Sequence, residues 1–150
     1  MTDRIEKQVE LNAPLSRVWR ALADPNEFGQ WFRVKLDGPF VVGQVSRGFI
    51  TYPGYEHVRW EATIEAIEPE RLLRFRWPHP KSLDQQDYAG EPTTIVEFRL
   101  EPLSNGTRLL LTESGFDALP SDRRADAFRS NEGGWTEQMK NVANHIAATP

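Results

Sequence analysis

The sequence predicts an α+β fold in which a curved antiparallel sheet wraps around a long C-terminal helix, with two short helices after the first strand. The middle of the chain alternates apolar and polar residues, which is typical of half-buried strands. The C-terminal part changes to apolar intervals of three and four residues, which is typical of a helix with one buried face. Because strands and helices are segregated along the chain, one sheet layer and one helix layer can bury both apolar faces.

The N-terminal elements are a strand and two short helices. Residues 4–11 alternate as a strand does, and Asn12 is the expected N-cap of the helix that follows. Apolar residues at helical spacing then predict a short helix over 15–22, which Asp24-Pro25 ends. A second short helix is predicted over 26–32.

About six strands are predicted between residues 34 and 114. The clearest covers 58–66, and shorter alternating stretches cover 73–77 and 96–100. Asn105-Gly106 is a hairpin-turn signal that leads into the last strand, which carries Leu109, Leu111 and Glu113.

Two segments differ from this alternation. Residues 78–92 are polar and contain prolines, which predicts a long, mobile loop with no role in the core. From Trp135 onward, apolar residues recur every three or four positions, which predicts a helix from about 135 to 147 on the concave face of the sheet. Gly133-Gly134 precede it, and each glycine costs about 1 kcal/mol against alanine in a helix interior. We therefore expect a helix start, a break or a close backbone contact there.

Composition narrows the function. A chain of 150 residues, 39% hydrophobic and 27% charged, is expected to form one domain over 1–150. A net charge of -4 without a basic run argues against a nucleic-acid partner. No apolar run is long enough to span a membrane. The absence of cysteine, and of a signal-like N-terminus, leads us to expect a cytoplasmic location.

Metal and cofactor motifs are missing. His57, His79 and His145 lack metal-ligand spacing and are expected to be solvent or rim residues. The glycines match no phosphate-binding pattern, and Ser114 lacks the context of a nucleophile elbow. We expect neither a metal nor a cofactor.

Several short motifs, in order, carry a resemblance to a known family. They are Val9-Glu10-Leu11-Asn12-Ala13-Pro14, Val18-Trp19-Arg20-Ala21-Leu22, Trp31-Phe32, Glu68-Pro69-Glu70-Arg71-Leu72, Leu111-Thr112-Glu113-Ser114-Gly115-Phe116 and Gly134-Trp135. Together they resemble the activator of heat-shock protein 90 ATPase homologue family, in the START-like (SRPBCC) superfamily of helix-grip proteins. The resemblance covers essentially the whole chain. It implies a helix-grip fold with a pocket between sheet and helix, and, for the eukaryotic activator, stimulation of a chaperone.

Glu113 is the one acid/base candidate. It continues the register of Leu109 and Leu111, so its side chain is expected to point at the apolar face, where burial would raise its pKa and suit proton transfer. The alternative is that the strand ends at Thr112 and Glu113 turns to solvent.

Large aromatic residues carry the stronger signal. They either fill the core or line a ligand pocket, which in proteins is largely apolar with a few polar groups. The candidate ligand-binding residues are Trp31, Trp60, Phe75, Trp77, Phe98, Trp135 and Met139.

Three functions remain open. The leading one is a module that binds a small apolar or amphipathic molecule between the sheet and the helix. The second is a protein-interaction module for a chaperone or another protein. The third is an enzyme of the polyketide cyclase or dehydratase kind that uses Glu113.

Overall fold

The computed structural model describes residues 3–149 as one antiparallel sheet packed against helices. The seven strands of this part of the chain stand in the order β1-β7-β6-β5-β4-β3-β2. The predicted α+β helix-grip fold is confirmed, with six strands between the short helices and the long one. The strands are β1 (Arg4–Leu11), β2 (Val34–Leu36), β3 (Val45–Ile50), β4 (Arg59–Glu68), β5 (Leu72–Pro78), β6 (Thr93–Leu103) and β7 (Gly106–Ser114), and the helices are α1 (Leu15–Ala23), α2 (Pro25–Phe32) and α3 (Ser121–Ala148).

The two short helices share a corner at Asp24. Its carboxylate accepts hydrogen bonds from the backbone N–H groups of Asn26 and Glu27, at 2.9 and 3.0 Å, and so caps α2. The predicted cap at Asn12 is wrong, because Pro14 occupies the N-cap position of α1. With ψ at 161°, Pro14 is extended, and its carbonyl accepts the first backbone bonds of the helix without a side-chain cap.

The inner face of the sheet carries the core. Ile64, Phe75, Val96, Glu113 and Ile5 form one cross-strand row from β4 to β1 through directly paired residues. Four of the five are apolar, and all are at most 2% exposed. Glu113 therefore faces the interior, as its register with Leu109 and Leu111 predicts.

The C-terminal helix is longer than predicted. It packs on the concave face over the predicted range, but it begins at Ser121 and runs unbroken through Gly133 and Gly134. An added Cβ at either glycine would meet no atom within 4 Å, so neither residue marks a close backbone contact. The expectations of a break, a helix start or a close contact at this pair are wrong.

Tertiary contacts hold the first half of α3 in place. Phe128 packs edge-on against Phe116, with ring centroids 5.1 Å apart. Glu132 pairs with Lys7 of β1 at 2.8 Å. Arg124 donates to the carbonyl of Leu119 just before the helix. Such packing overrides the weak helix propensity of a double glycine, because most helix stability in proteins comes from burying one face.

The segment between β5 and β6 is a long loop, as predicted, but it is fastened at both ends. The Tyr88 side chain is buried and its hydroxyl donates to the carbonyl of Arg59 at 3.2 Å. Arg123 of α3 donates to the carbonyl of His79 at 3.1 Å. The loop was expected to have no role in the core, and Tyr88 is buried but is not part of the hydrophobic core cluster.

Candidate functional site

A fully buried carboxylate lies between the sheet and α3. Glu113 Oε1 accepts from the Trp135 indole N–H at 2.8 Å, and Oε2 accepts from the Trp77 indole N–H at 2.8 Å and the Thr94 hydroxyl at 2.5 Å. The Asn131 amide lies 3.0 Å from both oxygens. We call these five residues the Glu113 cluster.

The fold brings the cluster together from four elements, β5, β6, β7 and α3. Trp77 on β5 and Thr94 on β6 are direct cross-strand partners, which places both beside the end of β7. Asn131 and Trp135 are four residues apart on α3, so they share one face of the helix. That face lies over Glu113.

Glu113 is held as an anion. Burial raises its pKa, but the nearby His79 imidazole and the hydrogen bonds from Thr94, Trp77 and Trp135 outweigh burial, so the pKa of this carboxyl lies below its ordinary value. The sequence-based expectation of a raised pKa is therefore wrong. That expectation considered only the effect of burial. The groups that donate hydrogen bonds to Glu113 belong to residues far away in the chain.

His79 completes a chain of hydrogen bonds. Its Nε2 lies 2.7 Å from Thr94 Oγ1 and 3.6 Å from Glu113. Because the Thr94 hydroxyl gives its single proton to Glu113, it can only accept from His79, so Nε2 carries a hydrogen. His79 is thus a structural partner of the cluster.

His57 is exposed to solvent, whereas His79 and His145 are partly exposed and lie within hydrogen-bond distance of other side chains. The side chain of His57 is 52% exposed, whereas His79 is 15% exposed and His145 only 9%. His145 lies 2.9 Å from Glu27. Burial raises the pKa of Glu27. Hydrogen bonds from His145 and Arg20 and the charge of Arg17 lower this pKa by more than burial raises it, so it lies below its ordinary value.

An apolar pocket opens beside the cluster, with a volume of about 200 Å³. We call it the helix pocket. Trp77 and Trp135 stack with ring centroids 5.7 Å apart, and the Phe32 centroid lies 6.2 Å from that of Trp77 and 6.1 Å from that of Trp135. These three neighbouring rings form one wall. The lining consists of Phe32, Tyr52, Trp77, Asn131, Gly134, Trp135, Glu137 and Gln138.

A second pocket of about 350 Å³, the loop pocket, adjoins it and shares Phe32, Trp77 and Asn131 with it. Its remaining lining comes from the end of β3, the start of β4 and the residue before it, the end of β5 and the loop after β5. These residues are Ile50, Val58, Arg59, Trp60, Glu61, Pro78, His79, Pro80, Leu83 and Tyr88.

The predicted ligand-binding residues divide into two groups. Trp77 and Trp135 line the helix pocket, and Trp60 and Trp77 line the loop pocket. The others are packed in the core and line neither of these two pockets: Trp31, Phe75, Phe98 and Met139. The aromatic residues therefore both fill the core and line space.

Several site residues were not identified from the sequence. Asn131 and Thr94 had no motif around them, and Tyr52 lay in a turn region. Gly134 did carry a signal, because glycine is unfavourable inside a helical pattern and its presence there calls for a reason.

Within residues 3–149, no group of three or more His, Asp or Glu side chains is arranged to hold a metal ion. No helix of this part of the chain has the length and apolarity needed to cross a membrane.

Comparisons with known proteins identify the family. A family model described as Activator of Hsp90 ATPase homolog 1-like protein matches residues 12–147. No curated protein matches the chain.

Solved structures share the fold. Protein MLL2253 from Mesorhizobium loti is 24% identical with a TM-score of 0.77, over 98% of each chain. A protein from Arthrobacter aurescens is 20% identical with a TM-score of 0.79, over 97% of this chain and 87% of that one. DynU16, from the dynemicin biosynthetic locus, is 23% identical with a TM-score of 0.75; the match covers 98% of this chain but only 48% of DynU16. The chain thus spans about half of DynU16, and at these identities the likeness is one of fold.

Proposed function

The chain belongs to the family of Activator of Hsp90 ATPase homolog 1-like proteins, and on that premise we propose that it binds a small apolar or amphipathic molecule in the helix pocket, in the cytoplasm. The observation that carries the proposal is the pocket itself. Its aromatic wall offers apolar contact, and Asn131 and Gln138 add a few polar groups. Apolar walls with few polar groups are typical of small-molecule sites.

The rigidity of the wall supports this proposal. Trp77 and Trp135 are each tied by an indole N–H to the Glu113 carboxylate, at 2.8 Å in both cases. Phe32 is held by α2, and the Gln138 amide donates to its backbone carbonyl at 3.1 Å. A wall that is ordered before the ligand arrives reduces the entropy that binding costs.

Gly134 adds a second line of support. It lies on the stripe of α3 that lines the pocket, with Asn131, Trp135 and Gln138 at three, one and four residues away. A side chain there would meet no protein atom within 4 Å, so nothing in the fold itself requires glycine. Glycine costs about 1 kcal/mol against alanine in a helix. Keeping the pocket open accounts for that cost.

The test is to fill the pocket from Gly134. Gly134→Leu is expected to abolish binding of Nile red, a neutral apolar fluorescent probe, while preserving the folded state. Gly133→Leu is the matched control, since Gly133 is also helical and open but does not line the pocket. Probe binding is followed by Nile red emission and by quenching of Trp emission. Absence of probe binding to the wild-type protein, or equal binding to both variants, contradicts the proposal.

A second candidate is a protein-interaction module, which the family description favours. Its structural support is a set of exposed hydrophobic side chains around β3, namely Val41, Val42, Val45, Phe49, Tyr52 and Tyr55. Exposed apolar patches often mark interaction sites. This candidate predicts that the chain raises the ATPase rate of its host's Hsp90-type chaperone and that Phe49→Glu removes the effect. An unchanged ATPase rate would exclude it.

The enzyme alternative has less support. Glu113 is enclosed by donors and its pKa lies below the ordinary value, so at neutral pH it has no proton to give to a substrate.

A further inference from the structure

We propose that the helix pocket selects ligands that carry an ammonium group over neutral or anionic ligands of the same shape. This inference rests on the proposed function and adds the chemical class of the ligand. It follows from the aromatic rings that line the pocket, from the negative charge of Glu113 beside them and from the side-chain carbonyl oxygen of Asn131.

The wall consists of groups that attract cations. The faces of Trp, Tyr and Phe rings carry negative electrostatic potential and bind ammonium or guanidinium groups within about 6 Å of the centroid. Four such rings line the pocket, from Phe32, Tyr52, Trp77 and Trp135. One of them already binds a cation: the Arg33 guanidinium lies 5.7 Å from the centroid of Tyr52. Arg33 itself does not line the pocket.

A negative charge lies directly behind the wall. Glu113 accepts hydrogen bonds from the indole N–H groups of Trp77 and Trp135, and both rings line the pocket. The ion-pair neighbour of Glu113 within residues 3–149 is a histidine, His79 at 3.6 Å, which is positive only when protonated. In a site of low dielectric constant this charge is poorly screened.

The charged side chain among the lining residues is also negative. It is the carboxylate of Glu137, and no Lys or Arg of the described chain is part of the lining, although the Arg33 guanidinium lies against the ring of Tyr52. Lys140 pairs with Glu137 at 3.4 Å, but both side chains are about two-thirds exposed, so solvent screens that pair.

Asn131 presents an acceptor. An ionised carboxylate can only accept hydrogen bonds, so the amide must turn its NH₂ group toward Glu113, 3.0 Å from each oxygen. Its carbonyl oxygen then faces away from Glu113, and it accepts no hydrogen bond from any residue in 3–149. Asn131 lines both pockets, so this oxygen is available to a donor on the ligand.

The test compares two ligands of nearly identical shape. Choline carries a trimethylammonium group, and 3,3-dimethylbutan-1-ol carries a neutral tert-butyl group in its place. Titration of each into the wild-type protein is followed by the indole N–H resonances of Trp77 and Trp135 in ¹H–¹⁵N NMR spectra. We expect choline to bind at least about fivefold more tightly, the size of a modest cation–π preference.

The outcomes separate this inference from the proposed function. Equal or tighter binding of the neutral alcohol overturns the cation preference and leaves the ligand-binding proposal standing. Nile red binding that Gly134→Leu abolishes, without choline binding, also overturns the preference alone. If neither ligand nor Nile red binds, both proposals fail.

Two variants locate the source of the preference. Glu113→Gln removes the buried charge and is expected to reduce the ratio of choline to alcohol affinity at least about threefold, the alcohol being little affected. Because Glu113→Gln can also weaken the fold, Glu137→Gln provides a second measurement at an exposed site and is expected to reduce the ratio about twofold. Glu132→Gln is the matched control: it removes the same charge from α3 but does not line the pocket. A ratio that stays at the wild-type value in both Glu113→Gln and Glu137→Gln overturns the inference, as does a ratio that falls equally in Glu132→Gln.

Discussion

Replacing Glu113 with leucine tests whether the buried carboxylate stabilises or destabilises the folded protein. Leucine fits the apolar row of Ile5, Val96 and their neighbours, and it removes the cost of burying a charge. Replacing buried ionic groups with apolar ones is often neutral or stabilising for this reason. The donors around Glu113 decide the outcome in this protein.

The size of the stability change depends on which hydrogen-bond donors still have an acceptor after Glu113 is replaced by leucine. Trp77 has a second acceptor in Thr94 Oγ1, at 3.1 Å, and the Thr94 hydroxyl can rotate. The Trp135 indole N–H has no acceptor other than Glu113 within residues 3–149, and it is 2% exposed. Asn131 bonds to Glu113 alone but is partly exposed, so water can replace part of that bond. An orphaned buried donor costs about 1–3 kcal/mol, and hydrogen bonds to a charged group contribute about 1.5–3 kcal/mol each.

We therefore expect Glu113→Leu to lower the free energy of unfolding by about 3 kcal/mol. Glu113→Gln is expected to lower it less, because one oxygen remains to accept from Trp135. In a domain of this size, about 3 kcal/mol corresponds to a melting temperature lower by roughly 6–12 °C. Urea denaturation followed by Trp fluorescence at pH 7, together with calorimetry, measures both values.

Glu101→Gln, on the exposed side of β6, is the control and should stay within about 0.5 kcal/mol of the wild-type protein. A Glu113→Leu variant as stable as the wild-type protein, or more stable, would refute the reasoning. It would mean that the desolvation of the carboxylate outweighs the bonds that it accepts.

Three other expectations concern glycines and pH. Gly134→Ala should raise the free energy of unfolding by about 1 kcal/mol, because alanine is the better helix former and the added Cβ meets nothing within 4 Å; an unchanged value in urea denaturation would contradict this. Gly48→Ala should lower the free energy of unfolding by about 1–3 kcal/mol, because the added Cβ would lie 2.2 Å from the Lys35 carbonyl oxygen. Gly38→Ala is the control and should change this free energy little, because the space around Gly38 is open. Stability should fall as pH drops below the ordinary carboxyl pKa of 4.5, because the pKa of Glu113 is lower in the folded state and the unfolded chain takes up the proton first. Glu113→Gln should weaken this pH dependence. If the free energy of unfolding falls equally steeply with decreasing pH in the wild-type protein and in Glu113→Gln, this expectation is wrong.

The sequence predicted the strands well because alternation is a local property. Each strand repeats every two residues, so the pattern indicates both its existence and its buried face. The inward direction of Glu113 followed from the same rule, through Leu109 and Leu111. The short helices were also recognisable, although the cap at Asn12 was placed two residues before the actual one at Pro14.

The start of the long helix was not recovered. Its first half is largely polar, and Gly133-Gly134 lowers its intrinsic helix propensity. Pro120-Ser121 carries a start signal, a proline followed by a small polar residue, yet the stronger apolar period begins only at Trp135. Contacts with Phe116, Lys7 and the loop after β5 decided that the helix extends back to Ser121.

What the sequence determined by itself was therefore the order of elements, the buried face of the strands that alternate clearly and the presence of one carboxylate in an apolar row. Only the tertiary structure decided that this carboxylate stays ionised, because its donors come from β5, β6 and α3 and their distances depend on how the layers pack. It also decided which rings fill the core and which line the pocket. A periodic pattern records the direction of a side chain but not the gap that it faces, and that gap depends on side chains far apart in the sequence, such as Phe32, Trp77 and Trp135.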